Sequence, residues 1–258
     1  MQLHQFETGL KDRVAIVTGA AVGNGRAFCE RLAQEGAHIV IADIQEATDT
    51  LNAVRSLGAR AISVIVDVTN PDDVHRMRDT VLQEFGRIDI LVHNVGMYEE
   101  EPFELISFDQ WKRMMDIHLN GLFLTTQAVV SAMKDRGFGR IIALSSDTVW
   151  LGTPYLVHYV TAKMGIIGFV RSLAGELGKY GITVNAITVG LTAMQKPEHK
   201  AGERMVSSSI LEHILPAQSV HRPDEPEDVA NVVAFLALPA SGIITGQTLN
   251  VDGGVARH

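Results

Sequence analysis

The chain has 258 residues, 46% hydrophobic and 20% charged, with a formal net charge of −8. That suits one large α/β core, and the acidic balance gives no electrostatic reason to bind nucleic acid or an anionic membrane. The one cysteine, Cys29, excludes an internal disulfide and a cysteine-based zinc site and suits a reducing compartment.

The first thirteen residues lack an apolar signal core, and no apolar run reaches the ~18 residues a membrane helix needs. The expected location is the cytoplasm, with no membrane partner. Short apolar runs then recur: VAIV (14–17), IVIA (39–42), ISVIV (62–66), IDILV (88–92), IIAL (141–144), ITVNAITV (182–189) and LNV (249–251). They are continuous rather than alternating, as strands read when helices cover both faces. Between them, Pro71 suits a first helical position, Ser107 with Gln110 reads as a capping box, and apolar residues after Pro226 keep helical spacing. The expected fold class is α/β: one Rossmann-type domain over 1–258, a doubly wound parallel sheet of seven strands with helices on both faces. The rhythm breaks only at about 191–221, a long stretch without strand pattern that is expected to be a substrate lid.

After the first run comes TGAAVGNGRAFCERLAQEG. Gly19, Gly23 and Gly25 let the backbone turn sharply and let a pyrophosphate approach its N–H groups at a helix N-terminus. Asn24 belongs to the same turn. Asp43 ends the next strand, 24 positions after Gly19, where a carboxylate accepts hydrogen bonds from ribose hydroxyls and repels a 2′-phosphate. Val22 offers that phosphate no basic partner, so the expected cofactor is NAD.

Tyr159 and Lys163 are four apart in a helical stretch and share a face. An ammonium about 5 Å from the phenol, at an effective dielectric near 20, would favour the phenolate by roughly 3 kcal/mol, about 2 pKa units. The pair would then be a tuned proton donor and acceptor.

Taken together, these spacings resemble the short-chain dehydrogenase/reductase family, single-domain branch, over nearly the whole chain. TGAAVGNG stands for its glycine turn, Asn94-Val95-Gly96 for its Asn-Ala-Gly motif, and Asp67-Val68 for its adenine-contacting pair. Asn120 in HLNGLF stands for its helix asparagine, Ser146 for its serine thirteen residues before Tyr159, and VDGG (251–254) for its last strand and turn. The resemblance implies a tetrad. Tyr159 would be acid and base, Ser146 would orient the carbonyl, Lys163 would hold the nicotinamide ribose, and Asn120 would bind a water linking Lys163 to solvent. It also implies cofactor contacts at Gly190 and Thr192, and a homotetramer packed through helices around 122–133 and 166–177. Departures stand at Asn24, His93, Val95 and Val189, and Met194 replaces an expected threonine.

The implied reaction is hydride transfer between NAD(H) and a secondary alcohol or ketone. Trp150, Tyr155 and Met194 are expected to line an apolar pocket for a hydrophobic or aromatic small molecule. Stretches such as ITGQTLNVDGG are similar to 1-phenylethanol-type alcohol dehydrogenases and to pyridoxal 4-dehydrogenase. Two alternatives stand beside these. One is a 3-oxoacyl-acyl-carrier-protein reductase, which Asp43 argues against; the other is a non-catalytic cofactor-binding regulator, which the full set of four residues argues against. No two histidines have the spacing of a metal pair, so no metal is expected.

Overall fold

A computed structural model describes residues 9–192 and 215–257. Met194 and most of the expected lid lie outside the described residues. The seven apolar runs form seven strands: β1 Val14–Thr18, β2 His38–Asp43, β3 Ala61–Ile65, β4 Ile90–His93, β5 Gly139–Ser146, β6 Ile182–Val189 and β7 Thr248–Val251. All neighbours pair in parallel, in the order β3-β2-β1-β4-β5-β6-β7. The order reverses between β1 and β4, which opens a crevice at their carboxyl ends.

Successive strand residues face opposite sides, so each run feeds two cores. Ala15, Val17, Ile39 and Ile41 pack with Phe28 and Leu32 of α1 (Gly23–Gln34) and with Val229 and Val233 of α8 (Pro226–Ala237). Val14, Ile16, Val40 and Leu91 pack on the other face. There they meet α3 (Pro71–Phe85), α5 (Gly121–Arg136) and α7 (Val157–Leu177).

The remaining helices are α2 (Thr48–Ser56), α4 (Phe108–Met115) and the single turn α6 (Thr148–Leu151). Ser107 and Gln110 cap each other's backbone at the start of α4, and Pro71 opens α3 behind an Asn70 cap. No helix among the described residues is long and apolar enough to cross a membrane.

Candidate active site

A cleft of about 770 Å³ opens over the carboxyl ends of β1, β2 and β4, lined by Gly19, Asp43, Asp67, Val68, Asn94 and Gly96 among others. The glycine turn is held from across the crevice: Asn94 Nδ2 donates to the carbonyls of Thr18 (3.2 Å) and Gly19 (2.8 Å). Gly19 and Gly23 have positive φ, 63° and 60°, where a side chain would strain the backbone. A Cβ on Gly25 would sit 2.7 Å from Ala20 Cα, so only glycine lets α1 approach the turn. Val22 supplies no side-chain cap to α1, and the buried Asn24 Oδ1 has no partner. Open helix N–H groups beside a glycine cradle fit a pyrophosphate.

Asp43 is buried. Its Oδ2 accepts from Ala21 N (2.9 Å) and its Oδ1 from Gln45 N (3.0 Å). It does not cap α2, whose N-cap is Ala47. Instead it braces the turn from the edge of the cleft. Asp67 Oδ1 accepts from Thr69 N and Oγ1, at 2.9 and 2.7 Å.

Across the crevice, β5 ends in Ser146 and the first two turns of α7 carry Tyr159 and Lys163. Ser146 faces the Tyr159 phenol closely enough to favour its ionised form. Its Oγ also accepts from Thr148 Oγ1 (2.9 Å) and reaches Asp147 Oδ1 at 3.4 Å. Lys163 is buried and its Nζ donates to the Leu144 carbonyl (2.8 Å), 5.7 Å from the centre of the Tyr159 ring.

The expected fall in the tyrosine pKa is not what this arrangement produces. Burial pushes the phenol up, Ser146 works the other way, and the Asp147 carboxylate adds to the rise. The physical reason lies with the partner: burial holds Lys163 down to about 7, so near neutrality much of its charge is gone.

Asn120, the expected water ligand beside Lys163, is exposed, and its amide donates to Asp116 Oδ1 (2.6 Å) on its own turn. Between α4 and α5 the helix widens into a π turn, Asp116–Asn120, and it is His118 that points inward. Its ring meets the Tyr159 ring edge-on at 5.6 Å, and Nε2 lies 3.0 Å from the Met97 carbonyl oxygen. The signal is in the spacing: Met114, His118, Leu122, Thr125, Val129 and Met133 form one buried stripe, and Asn120 falls half a turn off it.

Two more residues join the site that no motif marks. Tyr98 packs edge-on against Tyr159 at 5.2 Å, and Asp147 lies beside Ser146, pushed up to about 6 by burial and then by Asp252. The expected substrate residues are spread out. Trp150 on α6 is half-buried and its Nε1 donates to Asn250 Oδ1 of β7 (3.2 Å). Tyr155 is exposed at φ 63°, and its carbonyl accepts from Glu101 N. Gly190 follows β6, where a Cβ would meet Asp224 Oδ2 at 2.6 Å; Thr192 bridges to Asp224.

The chain is similar to known proteins over nearly its whole length. A family model described as enoyl-(acyl carrier protein) reductase matches residues 19–256. The chain is 38% identical over 252 residues to a 3-oxoacyl-[acyl-carrier-protein] reductase of Synechocystis, covering 96% of this chain and 98% of that one. It is 37% identical over 248 residues to the (2S)-[(R)-hydroxy(phenyl)methyl]succinyl-CoA dehydrogenase subunit BbsD of Thauera aromatica, covering 95% and 97%. A crystal structure of a short-chain type dehydrogenase/reductase from Mycobacterium marinum superimposes with a TM-score of 0.87 at 27% identity, covering 97% and 98%.

Proposed function

Because the chain belongs to the short-chain dehydrogenase/reductase family of NAD(P)-dependent oxidoreductases, we propose that it is an NAD-linked enzyme interconverting a hydrophobic or aromatic secondary alcohol and its ketone. The observation that carries this reading is the meeting of Ser146, Tyr159 and Lys163 across the crevice from the glycine turn. When bound, the nicotinamide supplies hydride transfer to or from the substrate carbon. Tyr159 gives its phenolic proton to the carbonyl oxygen in reduction and takes it back in oxidation. Ser146 donates to the same oxygen and fixes its place. Lys163 holds the ribose and stands beside the phenol, its Nζ 5.7 Å from the ring centre.

NAD rather than NADP follows from Asp43 at the cleft edge and from the exposed apolar Val22, which gives a 2′-phosphate no cation. The aromatic preference rests on Tyr98 beside Tyr159, and on the phenyl-bearing secondary alcohol named for the Thauera relative. The acyl-carrier-protein reductase reading, favoured by the Synechocystis relative, meets Glu99, Glu100, Glu101 and Glu104 on the loop after β4. Those charges repel an acidic carrier. Pyridoxal, a polar ring, is the remaining alternative. Phe123 on α5 and Met164 on α7 are exposed, which supports burial of these helices against other subunits in a homotetramer.

The test is turnover with NADH and NADPH on acetophenone-like ketones, small polar carbonyls, pyridoxal and a 3-oxoacyl thioester of the carrier protein. Aryl ketone reduction with NADH supports the proposal. Turnover confined to the carrier thioester or to polar substrates overturns it.

A further inference from the structure

Three acidic side chains gather beside the reactive serine. Asp147 follows Ser146 at the end of β5, Asp252 follows β7, and Asp224 stands just before α8. All three are buried, Asp224 to 5% exposure. A Cβ placed on Gly190 would lie 2.6 Å from Asp224 Oδ2 and 3.0 Å from Asp252 Cβ, so both side chains close on one point at the end of β6. Asp147 N donates to the carbonyl of Val189, the residue before that point, and Asp147 Oδ1 lies 3.4 Å from Ser146 Oγ.

Asp252 is satisfied within the chain, because its carboxylate accepts from Gly254 N and Ala256 N, each at 2.9 Å. Asp224 Oδ2 has no hydrogen-bond partner. Nor has Oε1 of the buried Gln218, whose Nε2 donates to the Asp252 carbonyl at 3.4 Å. Among the described residues no cation pairs with any of the three carboxylates. Arg222 acts on Asp224, but its guanidinium forks onto both oxygens of Asp228. Buried carboxylates without a cation are costly to keep charged, so a cluster of them beside a reactive group points to a positive charge that arrives with a ligand. The nicotinamide ring fits that description, being neutral when reduced and cationic when oxidised. Hydride transfer to a carbonyl held by Ser146 and Tyr159 needs reacting atoms about 3–3.5 Å apart, which brings the ring next to Asp147. Asp224 flanks Gly190 and Thr192, the expected cofactor contacts.

We propose that Asp147, assisted by Asp224, is the counter-charge for the positive charge that develops on the nicotinamide ring as hydride leaves it. The two act through space, by charge. Once ionised they favour the oxidised cofactor over the reduced one, which makes bound NADH the stronger hydride donor toward a ketone. The inference rests on the function proposed above. The groups facing Asp147 are Ser146, Tyr159, Tyr98 and Asp252; those facing Asp224 are Asp228, Asp252, Asp147 and Arg222. Burial first, and then the neighbouring carboxylates, raise Asp147 to about 6 and Asp224 to about 7.

The experiment measures Kd for NAD and for NADH by calorimetry at about pH 5 and about pH 8. It compares the wild type with Asp147→Asn, with Asp224→Asn, and with Asp79→Asn, which removes an exposed carboxylate of α3. At the higher pH the preference for NAD, taken as the ratio of the two Kd values, should fall about tenfold in Asp147→Asn and about threefold in Asp224→Asn. It should hold in Asp79→Asn. In Lys163→Met, where no ammonium titrates in the site, the ratio should still move toward NAD about tenfold between the two pH values as the carboxylates ionise. If the ratio keeps its wild-type value in both Asn variants, whether or not affinity falls, the carboxylates merely shape the fold around Gly190 and the proposal is overturned. A ratio independent of pH in Lys163→Met overturns it too. Should one Asn variant fail to fold, the other and the Lys163→Met titration still decide. A wild type that binds only the NADP couple refutes the NAD-linked reading, and the same ratio is then taken with that couple. Binding of neither couple sinks the functional reading and this inference together, whereas normal binding with an unmoved ratio sinks this inference alone.

Discussion

The two banks of the crevice are built on opposite terms. On the bank of β1, β2 and β3, the carboxylates of Asp43 and Asp67 already accept from backbone or hydroxyl donors, and the glycine turn is held by Asn94 from the end of β4. On the bank of β4, β5 and β6, ionisable groups are buried and pushed from their ordinary values: Lys163 down to about 7, Asp147 up to about 6, and both His93 and His118 down to about 3. One bank is a preassembled frame that a ligand completes. The other holds Lys163 and Asp147 near the point of gaining or losing a proton, as acid–base work requires, beside two histidines that burial keeps neutral.

The largest test of that contrast is Tyr159→Phe. Loss of one hydroxyl should cut kcat at least about a hundredfold while NADH affinity, read by fluorescence titration, survives. Near-normal turnover would sink the assignment. On the other bank Gly25→Ala should do the reverse, because a methyl there meets Ala20 Cα at 2.7 Å. NADH affinity should fall about tenfold or more, roughly 1.4 kcal/mol, with kcat at saturation largely retained. A mutant that binds NADH normally would show that the turn has room.

A smaller effect is expected from Asp43→Ser. The wild type should prefer NAD over NADP by about two orders of magnitude, and the substitution should shrink that gap about tenfold. Equal use of both cofactors by the wild type would remove Asp43 from the cofactor site.

The smallest effect sharpens the comparison through stability. Lys163 titrates at about 7 in the folded protein against 10.5 ordinarily. Between those values the unfolded chain binds a proton the folded chain lacks, so stability rises with pH through that window and the cost of the buried charge is fullest below about 7. Lys163→Met should therefore melt a few degrees higher than wild type at about pH 6, with the gain fading toward about pH 10. Parallel melting curves at both pH values would mean the ammonium is better solvated than its burial suggests.

The first bank is the legible one. Its elements follow from local chemistry: apolar runs covered on both faces, glycines where φ is positive, a carboxylate at a strand end. The second bank depends on depth and on helix phase, which short motifs do not carry. The HLNGLF segment points to Asn120, but the buried stripe through Met114 and Leu122 selects His118, and the π turn places it under Tyr159. The expected effect of Lys163 on Tyr159 fails for a related reason. Spacing determines which groups are neighbours but not how far burial strips the ammonium of its own charge.

Thr192 and Asp224 bridge, with Asp224 N donating to the Leu191 carbonyl, so the chain leaves the sheet and returns at adjacent points. A detour that starts and finishes at one clasp can change length without pulling on the strands that carry the chemistry. Closing a loop twice as long costs only about 0.6 kcal/mol more. The clasp, rather than the length of sequence it encloses, therefore fixes where the chain leaves β6 and where it resumes toward α8.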